Sequence, residues 1–384
     1  MTELKYTVTV EVTSKSSLLD NLKRTVFIFL LFLLLMPVSI EAKLKTENVI
    51  LITLDGIRWQ EVFSGADSAL IFNNTFTKDS INVVTQFWDK DSEQRRIKLM
   101  PFFWSEIAKH GQLHGNVNNN SIVELRNPYW FSYPGYSEIL VGYVDSTRNS
   151  NASENNPNIT VLEHIHDQPD FDGKVAAFCS WDVFDHIINE ERAGFLVNSG
   201  MERLEGSLVS QKVEFLNEMM FQIPVPWASV RFDAFTYQYA FDYLKIYQPR
   251  LLYIAFDGTD EFAHDGKYDQ YLLSANRLDG YIKNIWDWIQ SDNHYENKTT
   301  LLITTDHGRG DKPIDYWQHH GSNVKGAEKI WLAVMGPDTP ARGEANNSRT
   351  IYSTQIAMTI SSLLSIEYTN KKPVGDVIKG IIRD

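Results

Sequence analysis

Short, uninterrupted runs of apolar residues recur along the chain and predict buried β-strands. The runs cover residues 49–54, 174–180, 251–256, 299–305 and 329–335. Continuous apolar runs, rather than alternating apolar and polar positions, are typical of strands that are covered on both faces. The pattern therefore predicts the strands of a mostly parallel sheet.

Stretches with helical periodicity lie between these strands. The longest, Tyr268–Ile289, has apolar residues at helical spacing. Shorter helices are predicted over residues 101–110, 235–247 and 351–364, and Pro249 ends the second of them. Strands that alternate with longer helices indicate an α/β fold, with a mostly parallel central sheet covered by helices on both faces.

The N-terminal region differs from the rest of the chain. Lys23 and Arg24 precede an apolar run over residues 26–38, and small residues follow it. The run has about 13 residues, which is shorter than a bilayer-spanning helix but suits the core of a signal peptide. We therefore predict that residues 1–42 are a signal peptide for export to the periplasm or the medium, or an uncleaved anchor that tethers the protein to a membrane. Residues 43–384 have no internal repeat or linker and are predicted to form a single domain.

Composition limits the partners of this domain. Thirty-six Lys and Arg residues face 49 Asp and Glu residues, which gives a formal net charge of −13. Without a basic run to offset this charge, binding to duplex nucleic acid is not expected. A small anionic substrate stays compatible with the composition, because bound divalent cations reverse the charge locally. The single cysteine, Cys179, lies in an apolar strand and is predicted to be a buried thiol rather than a reactive one.

Acidic and histidine side chains follow several predicted strands or lie in nearby loops. They are Asp55, Asp260, His264, Asp306, His307 and His320. The carboxyl ends of parallel strands meet at one edge of a sheet, so we expect these side chains to lie close together. Carboxylate oxygens and imidazole nitrogens bind divalent metals such as zinc, and the set resembles the ligands of a two-metal hydrolase.

Spacing within the segments supports the same site. Asp260 and His264 are four residues apart and would point the same way on one helical turn. Asp257 is either a competing ligand or a residue that supports the ligands from behind. His319 and His320 would diverge, and we favour His320 because a glycine follows it. Each segment alone also fits an ordinary strand-end turn or helix start. It is their coincidence at several strand ends that favours a metal site.

A segment rich in hydroxyl groups offers a nucleophile. Residues 131–142 read Phe-Ser-Tyr-Pro-Gly-Tyr-Ser-Glu-Ile-Leu-Val-Gly, in which Pro134 and Gly135 predict a turn and a helix is expected from Ile139. A hydroxyl at this turn, close to a helix N-terminus, would face a phosphate group with backbone N–H groups behind it.

In their order and spacing, these segments resemble the alkaline phosphatase superfamily, and most closely its nucleotide pyrophosphatase/type I phosphodiesterase branch. That branch has a strand-end Asp, a T-F-P-N-H-Y-x-x-x-T-G segment with a Thr nucleophile, then D-x-x-x-H, D-H-G and a late H-G. The corresponding segments here begin at Asp55, Ser132, Asp260, Asp306 and His320, and the resemblance spans residues 49–336.

The resemblance implies an alkaline phosphatase-like catalytic domain with two divalent metal ions, which we expect to be Zn²⁺. By the same resemblance, Ser132 rather than Ser137 is the nucleophile and forms a phosphoseryl intermediate. One zinc ion would take Asp260, His264 and His320. The other would take Asp55, Ser132, Asp306 and His307.

Two departures from related patterns bear on the substrate. The sulfatase branch has Ser/Cys-x-Pro-x-Arg, but Tyr136 stands at the position of that arginine, so sulfate hydrolysis is not expected. The nucleotide branch also has a phosphate-contacting Asn some twenty residues after its nucleophile. Five asparagines occupy that region and the sequence does not distinguish among them: Asn149, Asn151, Asn155, Asn156 and Asn158.

The sequence therefore predicts an exported two-metal hydrolase of phosphoric esters, with monoesters and diesters or pyrophosphates both open. Aromatic residues in 128–131 and 227–243 offer an apolar slot for a second ester group, with core packing as their alternative role. A phosphomutase or phosphotransferase of the same superfamily is one alternative function, and a catalytically silent metal-binding relative is another.

Overall fold

The computed structural model describes residues 5, 7, 22–26, 43–206, 209–346 and 349–383. Most of the predicted signal segment, with nearly all of its apolar run over residues 26–38, lies outside the described residues. Within the described residues, no helix is both long enough and apolar enough to cross a membrane. Residues Leu44–Asp384 make up one compact unit, which contains everything described below.

The strands predicted from apolar runs assemble into one large sheet. The strands are β1 Asn48–Leu54, β2 Gln112–His114, β3 Ile122–Glu124, β4 Val175–Cys179, β5 Leu196–Ser199, β6 Leu251–Phe256, β7 Thr299–Thr304, β8 Lys329–Ile330, β9 Leu332–Met335, β10 Gly343–Glu344 and β11 Thr350–Tyr352. In the described part of the chain, eight of them form a sheet in the order β10-β2-β9-β7-β1-β6-β4-β5. Only β9 runs antiparallel to its neighbours in this sheet. Strands β11, β3 and β8 form a small second sheet.

Helices connect the strands and cover the sheet. They are α1 Trp59–Ser64, α2 Ser68–Ile71, α3 Ser80–Phe87, α4 Ser92–Leu99, α5 Ala108–His110, α6 Ser132–Val141, α7 Val161–His166, α8 Phe184–Ile188, α9 Glu190–Ala193, α10 Gln211–Gln222, α11 Asp233–Tyr247, α12 Gly258–His264, α13 Tyr268–Ile289 and α14 Ile356–Leu363. A π-helical turn, Phe103–Ile107, leads directly into α5. Short 3₁₀ turns are Val117–Asn119, Pro169–Phe171, Ile314–Gln318 and Ser353–Gln355.

Two hydrophobic cores, one on each face, show that the sheet is covered on both sides. On β1, Ile50 and Ile52 belong to the core that includes residues of α13, whereas Val49 and Leu51 belong to the core with residues of α6, α7 and α14. Side chains of one strand alternate between the faces, so both faces of β1 must be apolar. The predicted α/β class with a mostly parallel, doubly covered sheet is confirmed. Cys179 is buried and free, as expected.

Two predicted elements have different bounds in the structure. The last helix begins at Ile356 rather than at residue 351, because Thr350–Tyr352 pairs with β3 as a strand. The run 329–335 is interrupted at Trp331, and its two halves, β8 and β9, join different sheets. The Trp331 indole is buried and donates a hydrogen bond to the backbone oxygen of Ile57 at 3.0 Å.

The predicted turn at Pro134 and Gly135 was wrong. Helix α6 begins at Ser132, and both residues lie in its first turn. Proline is tolerated there, because the first N–H groups of a helix have no partner within the helix. This difference matters for the site, since it places Ser132 itself at the helix N-terminus.

Candidate active site

The carboxyl ends of the central strands carry the predicted site residues. Asp55 follows β1 directly, α12 begins two residues after β6, and Asp306 comes two residues after β7. Because β6, β1 and β7 are parallel neighbours, these ends open on the same edge of the sheet. The fold thus brings together residues that are up to 265 positions apart between Asp55 and His320.

Six predicted residues form one contiguous carboxylate–histidine cluster: Asp55, Asp260, His264, Asp306, His307 and His320. Potential ligand atoms of Asp55, Asp306 and His307 lie within 4.8 Å of one another, and so do those of Asp260, His307 and His320. His264 joins the second group, with its Nε2 3.1 Å from Asp260 Oδ2 and 2.9 Å from His320 Nε2.

The first group is completely buried. His307 Nε2 lies 3.3 Å from Asp55 Oδ1 and 3.4 Å from Asp306 Oδ2. Those two carboxylate oxygens have no hydrogen-bond partner within the described residues. Unpaired buried carboxylate oxygens are energetically costly, and a divalent cation between them would remove the cost. The donor set therefore fits a metal ion.

The electrostatics of the two carboxylates agree with this fit. Burial raises the pKa of Asp55 well above its ordinary value, and the nearby charge of Asp260 raises it further. Burial likewise raises the pKa of Asp306, with a further contribution from Asp55. Two buried acids that repel each other become favourable as anions only with positive charge between them.

In the second group, neighbouring charges and burial shift the pKa values in the opposite direction. Burial by itself would raise the pKa of Asp260, but Arg309 and His264 hold that pKa well below its ordinary value. Burial lowers the pKa of His320 well below the usual histidine value, which favours the neutral imidazole that binds metals. The rings of His307 and His320 stack with their centroids 3.9 Å apart. His319 is exposed and belongs to neither of these two groups.

Two residues at the site were missed in the sequence. Arg309 is buried, contacts the Asp260 carboxylate and donates to the backbone oxygens of Gly56 at 3.1 Å and Gln318 at 2.6 Å. Tyr136 donates from its hydroxyl to Asp55 Oδ2 at 2.8 Å. The arginine directly after Asp306-His307-Gly308 was a usable signal, because a cation next to a predicted cluster of carboxylates can pair with one of them. Asp257 is also buried near Asp55 but lies outside both metal-fitting groups.

Helix α6 brings Ser132 to the cluster. Its Oγ lies 3.4 Å from His307 Nε2. Ser137, five residues later, accepts a hydrogen bond from Asn156 Nδ2 at 3.1 Å and does not contact the cluster. The helix approaches the strand end closely: a Cβ on Gly135 would come within 2.3 Å of the backbone oxygen of Asp306. Only glycine permits this approach, which sets the position of Ser132.

One of the five candidate asparagines lies beside Ser132. Asn151 Oδ1 accepts a hydrogen bond from the backbone N–H of Tyr133 at 3.0 Å. Asn156 and Asn158 are buried in structural hydrogen bonds, and Asn155 bonds to His186 and Glu191. Of these four asparagines, Asn151 is the one that bonds to the residue next to Ser132.

Comparison with known proteins identifies the family of this chain. The sequence profile of the type I phosphodiesterase/nucleotide pyrophosphatase family matches residues 64–324, more than half of the 384-residue chain. The chain belongs to this family. A comparison with curated protein sequences gives no match. Membership of the family supports phosphoester hydrolysis, and it confirms the resemblance noted in the sequence.

Solved structures confirm the alkaline phosphatase-like fold. Wild-type alkaline phosphatase PafA superimposes with a TM-score of 0.58 at 12% identity, over 89% of this chain and 99% of that one. The lipoteichoic acid synthase LtaP from Listeria monocytogenes gives 0.53 at 11% identity, over 84% and 72%. The phosphonate monoester hydrolase of Agrobacterium radiobacter gives 0.51 at 12% identity, over 88% and 77%. At these identities the likeness establishes the fold alone.

An open cavity of about 560 Å³ adjoins the cluster at His320. We call it the site mouth. Its walls include Phe131, Tyr316 and His319, and neither lysine nor arginine is among its lining residues. Of the two aromatic segments considered for an ester slot, 128–131 therefore contributes Phe131 to the mouth. Trp227, from the other segment, lines a separate cavity.

Proposed function

We propose that this protein is an exported, two-zinc hydrolase of phosphoric esters, acting on diesters or pyrophosphates, or on monoesters, with Ser132 as the nucleophile. The observation that carries the proposal is the position of Ser132, at the N-terminus of α6 and 3.4 Å from the histidine shared by the two metal-fitting groups. Family membership supports the reaction class.

The residues divide between the two ions. Asp55, Asp306 and His307, with Ser132, would hold one zinc ion, and Asp260, His264 and His320 would hold the other. Bound zinc supplies positive charge that lowers the pKa of a serine hydroxyl and offsets charge on a phosphate. Asp55 and Asp306 would stay ionised under these conditions despite their burial.

The chain's own groups orient the reaction. Ser132 Oγ attacks phosphorus, a bond from oxygen to phosphorus forms, and the bond to the leaving alcohol or phosphate breaks. Water then hydrolyses the phosphoseryl ester and regenerates the serine. Asn151 Oδ1 is held by the N–H of Tyr133, so the Asn151 side chain can turn its Nδ2 hydrogens toward a phosphate oxygen. The N-terminus of the ten-residue helix α6 adds a favourable dipole.

The site mouth is where the leaving group would lie. Phe131 and Tyr316 offer aromatic surface, and the lining has no cationic side chain to pair with a second phosphate. This composition favours esters with an organic leaving group over pyrophosphates. A phosphotransferase would use the same covalent step but pass the phosphoryl group to an alcohol, so added alcohol acceptors separate the two functions.

Ser132→Ala and Ser137→Ala test the nucleophile as a matched pair. We expect Ser132→Ala to lower turnover by at least about a thousandfold while zinc stays largely bound, and Ser137→Ala to stay within a few-fold of wild type. Zinc is measured by elemental analysis beside the kinetics. Activity retained in Ser132→Ala, or lost only in Ser137→Ala, contradicts the assignment.

A substrate panel tests the reaction class. We expect 4-nitrophenyl phosphate or its bis-ester to be hydrolysed far faster than 4-nitrophenyl sulfate, because Tyr136 replaces the arginine of the sulfatase pattern. Dominant sulfate hydrolysis would overturn the proposal. Export is tested separately, by N-terminal sequencing of the expressed protein: cleavage near Lys43 supports a signal peptide, and an intact N-terminus in the membrane fraction supports an anchor.

A further inference from the structure

A second cavity, of about 410 Å³, lies against helix α12. We call it the aromatic cavity. Its walls include Trp227, Phe232, Phe262, Leu273 and Tyr281. The volume lies in the range of about 300–1,000 Å³ that is typical of small-ligand sites. None of its lining residues belongs to the carboxylate–histidine cluster.

Helix α12 separates this cavity from the cluster. Asp260 and His264 are four residues apart and lie on its metal-fitting side. Gly258 and Phe262 are also four apart and line the aromatic cavity. A molecule in the cavity would therefore press on the helix that carries two proposed zinc ligands.

One wall residue of the cavity, Trp227, carries a buried indole N–H without a partner in the described part of the chain. Trp227 is only 9% exposed, and its indole Nε1 makes no hydrogen bond within the described residues. The ring packs edge-on against Phe262, with centroids 4.9 Å apart, and against Phe232 at 5.6 Å. Since buried N–H groups nearly always find an acceptor, this donor points to a ligand with an accepting atom.

Two charged side chains, Arg277 and Asp233, line the cavity. Arg277 lines it and has no ion-pair partner within the described residues. Asp233 is the opposing charge, but its carboxylate already accepts hydrogen bonds from Ser180 Oγ and from the backbone N–H groups of Asp257 and Gly258. The arginine is thus the charged group that remains available to a ligand.

We propose that the aromatic cavity is a second ligand site, which binds an aromatic monoanion such as an arylcarboxylate or arylsulfonate. The rings of Trp227 and Phe262 contact its apolar body, the Trp227 N–H donates to an acceptor atom, and Arg277 pairs with its acidic group. This inference does not rest on the phosphoesterase proposal, because it concerns a different cavity.

Two fluorescent probes with one ring system test it. The probe 8-anilinonaphthalene-1-sulfonate carries the anion, and N-phenyl-1-naphthylamine is the same body without it. We expect saturable binding of one sulfonate per chain. Arg277→Gln should weaken sulfonate binding about tenfold and leave the neutral probe within twofold. Trp227→Phe should weaken both probes, because it removes the N–H donor and part of the wall.

Surface binding is the alternative explanation and has its own control. Phe215 is 59% exposed and lies outside the cavity, so Phe215→Ser should leave the affinity of both probes unchanged. Arg277 is exposed, so its substitution should not impair folding. The proposal is overturned if the wild type shows no saturable binding. It is also overturned if Phe215→Ser accounts for the signal, or if Arg277→Gln weakens both probes equally.

Discussion

The hydroxyl of Tyr136 donates a hydrogen bond to Asp55 Oδ2 at 2.8 Å, while Asp55 Oδ1 has no partner within the described residues. One oxygen of this carboxylate is thereby held in place, and the other is directed toward His307 and the interior of the cluster. Partners that orient a metal ligand commonly contribute 10- to 100-fold to metal affinity. Tyr136 therefore orients a proposed metal ligand, in addition to standing at the position of the sulfatase arginine.

We predict that Tyr136→Phe weakens zinc binding by about 10- to 100-fold and lowers kcat/KM when zinc is limiting. Competition with a chromophoric chelator measures the affinity. The control is Tyr295→Phe, which removes another buried tyrosine hydroxyl, bonded to the Pro249 backbone oxygen at 2.8 Å. Equal zinc affinities in the two variants would show that Tyr136 does not orient Asp55.

Alanine substitutions at two helical glycines distinguish an effect on site geometry from an effect on helix propensity. A Cβ on Gly135 would lie 2.3 Å from the Asp306 backbone oxygen, whereas a Cβ on Gly280 in α13 meets nothing within 4 Å. Gly135→Ala should displace α6 and strongly reduce turnover. Gly280→Ala should keep activity and gain up to about 1 kcal/mol of unfolding free energy. Kinetics and denaturant melts check both, and an active Gly135→Ala enzyme would contradict the role given to this close approach.

The sequence predicted the central fold because the central strands are buried on both faces. All of β6 is apolar, β1 carries an apolar run from Val49 to Ile52, and β7 carries one from Leu301 to Ile303, so an apolar run marks each strand. Short strands such as β2 and β10 have two or three residues and little pattern of their own. They form because β9 and β2 offer free edges, which is a tertiary effect that local periodicity does not contain.

The candidate site, like the fold, could be predicted only in part. Residues such as Asp55 and Asp306 sit at strand ends, where topology alone brings them together. Arg309 and Tyr136 act through contacts between distant segments, so only the folded chain reveals their partners. The same holds for Asn151, because the choice among the asparagines depends on which loop residue reaches the start of α6.

Removing metal should destabilise the protein as well as inactivate it. Without cations, the unpaired oxygens of Asp55 and Asp306 stay buried beside each other. A ligand present at 100 times its Kd adds about 2.7 kcal/mol per site to the unfolding free energy. We expect about two zinc ions per chain, a lower melting temperature after chelation, and recovery when zinc is restored. Asp306→Asn should blunt the response, and a fully active protein without metal would rule out the two-zinc proposal.

Asp279 lies outside the candidate site, and we predict that it makes the stability of the protein depend on pH. Its carboxylate accepts hydrogen bonds from the backbone N–H groups of Phe102 and Phe103, at 2.8 and 3.0 Å, and is almost completely buried. Burial raises its pKa to about 7, although both hydrogen bonds act in the opposite direction. The folded protein therefore binds this proton more tightly than the unfolded chain does.

The direction in which stability changes with pH follows from which state binds the proton. Between the unfolded pKa near 3.8 and the folded pKa near 7, the native state holds the proton and the unfolded state does not, so stability falls as pH rises through this window. From pH 5 to pH 8 the loss should be about 2–3 kcal/mol. Asp279→Asn lacks the titrating group. The variant can be less stable than wild type at pH 5, because an amide cannot accept both N–H bonds. Its deficit should nevertheless shrink by that amount at pH 8, as measured by urea unfolding at the two pH values. A deficit that stays constant with pH would show that Asp279 does not titrate in this window.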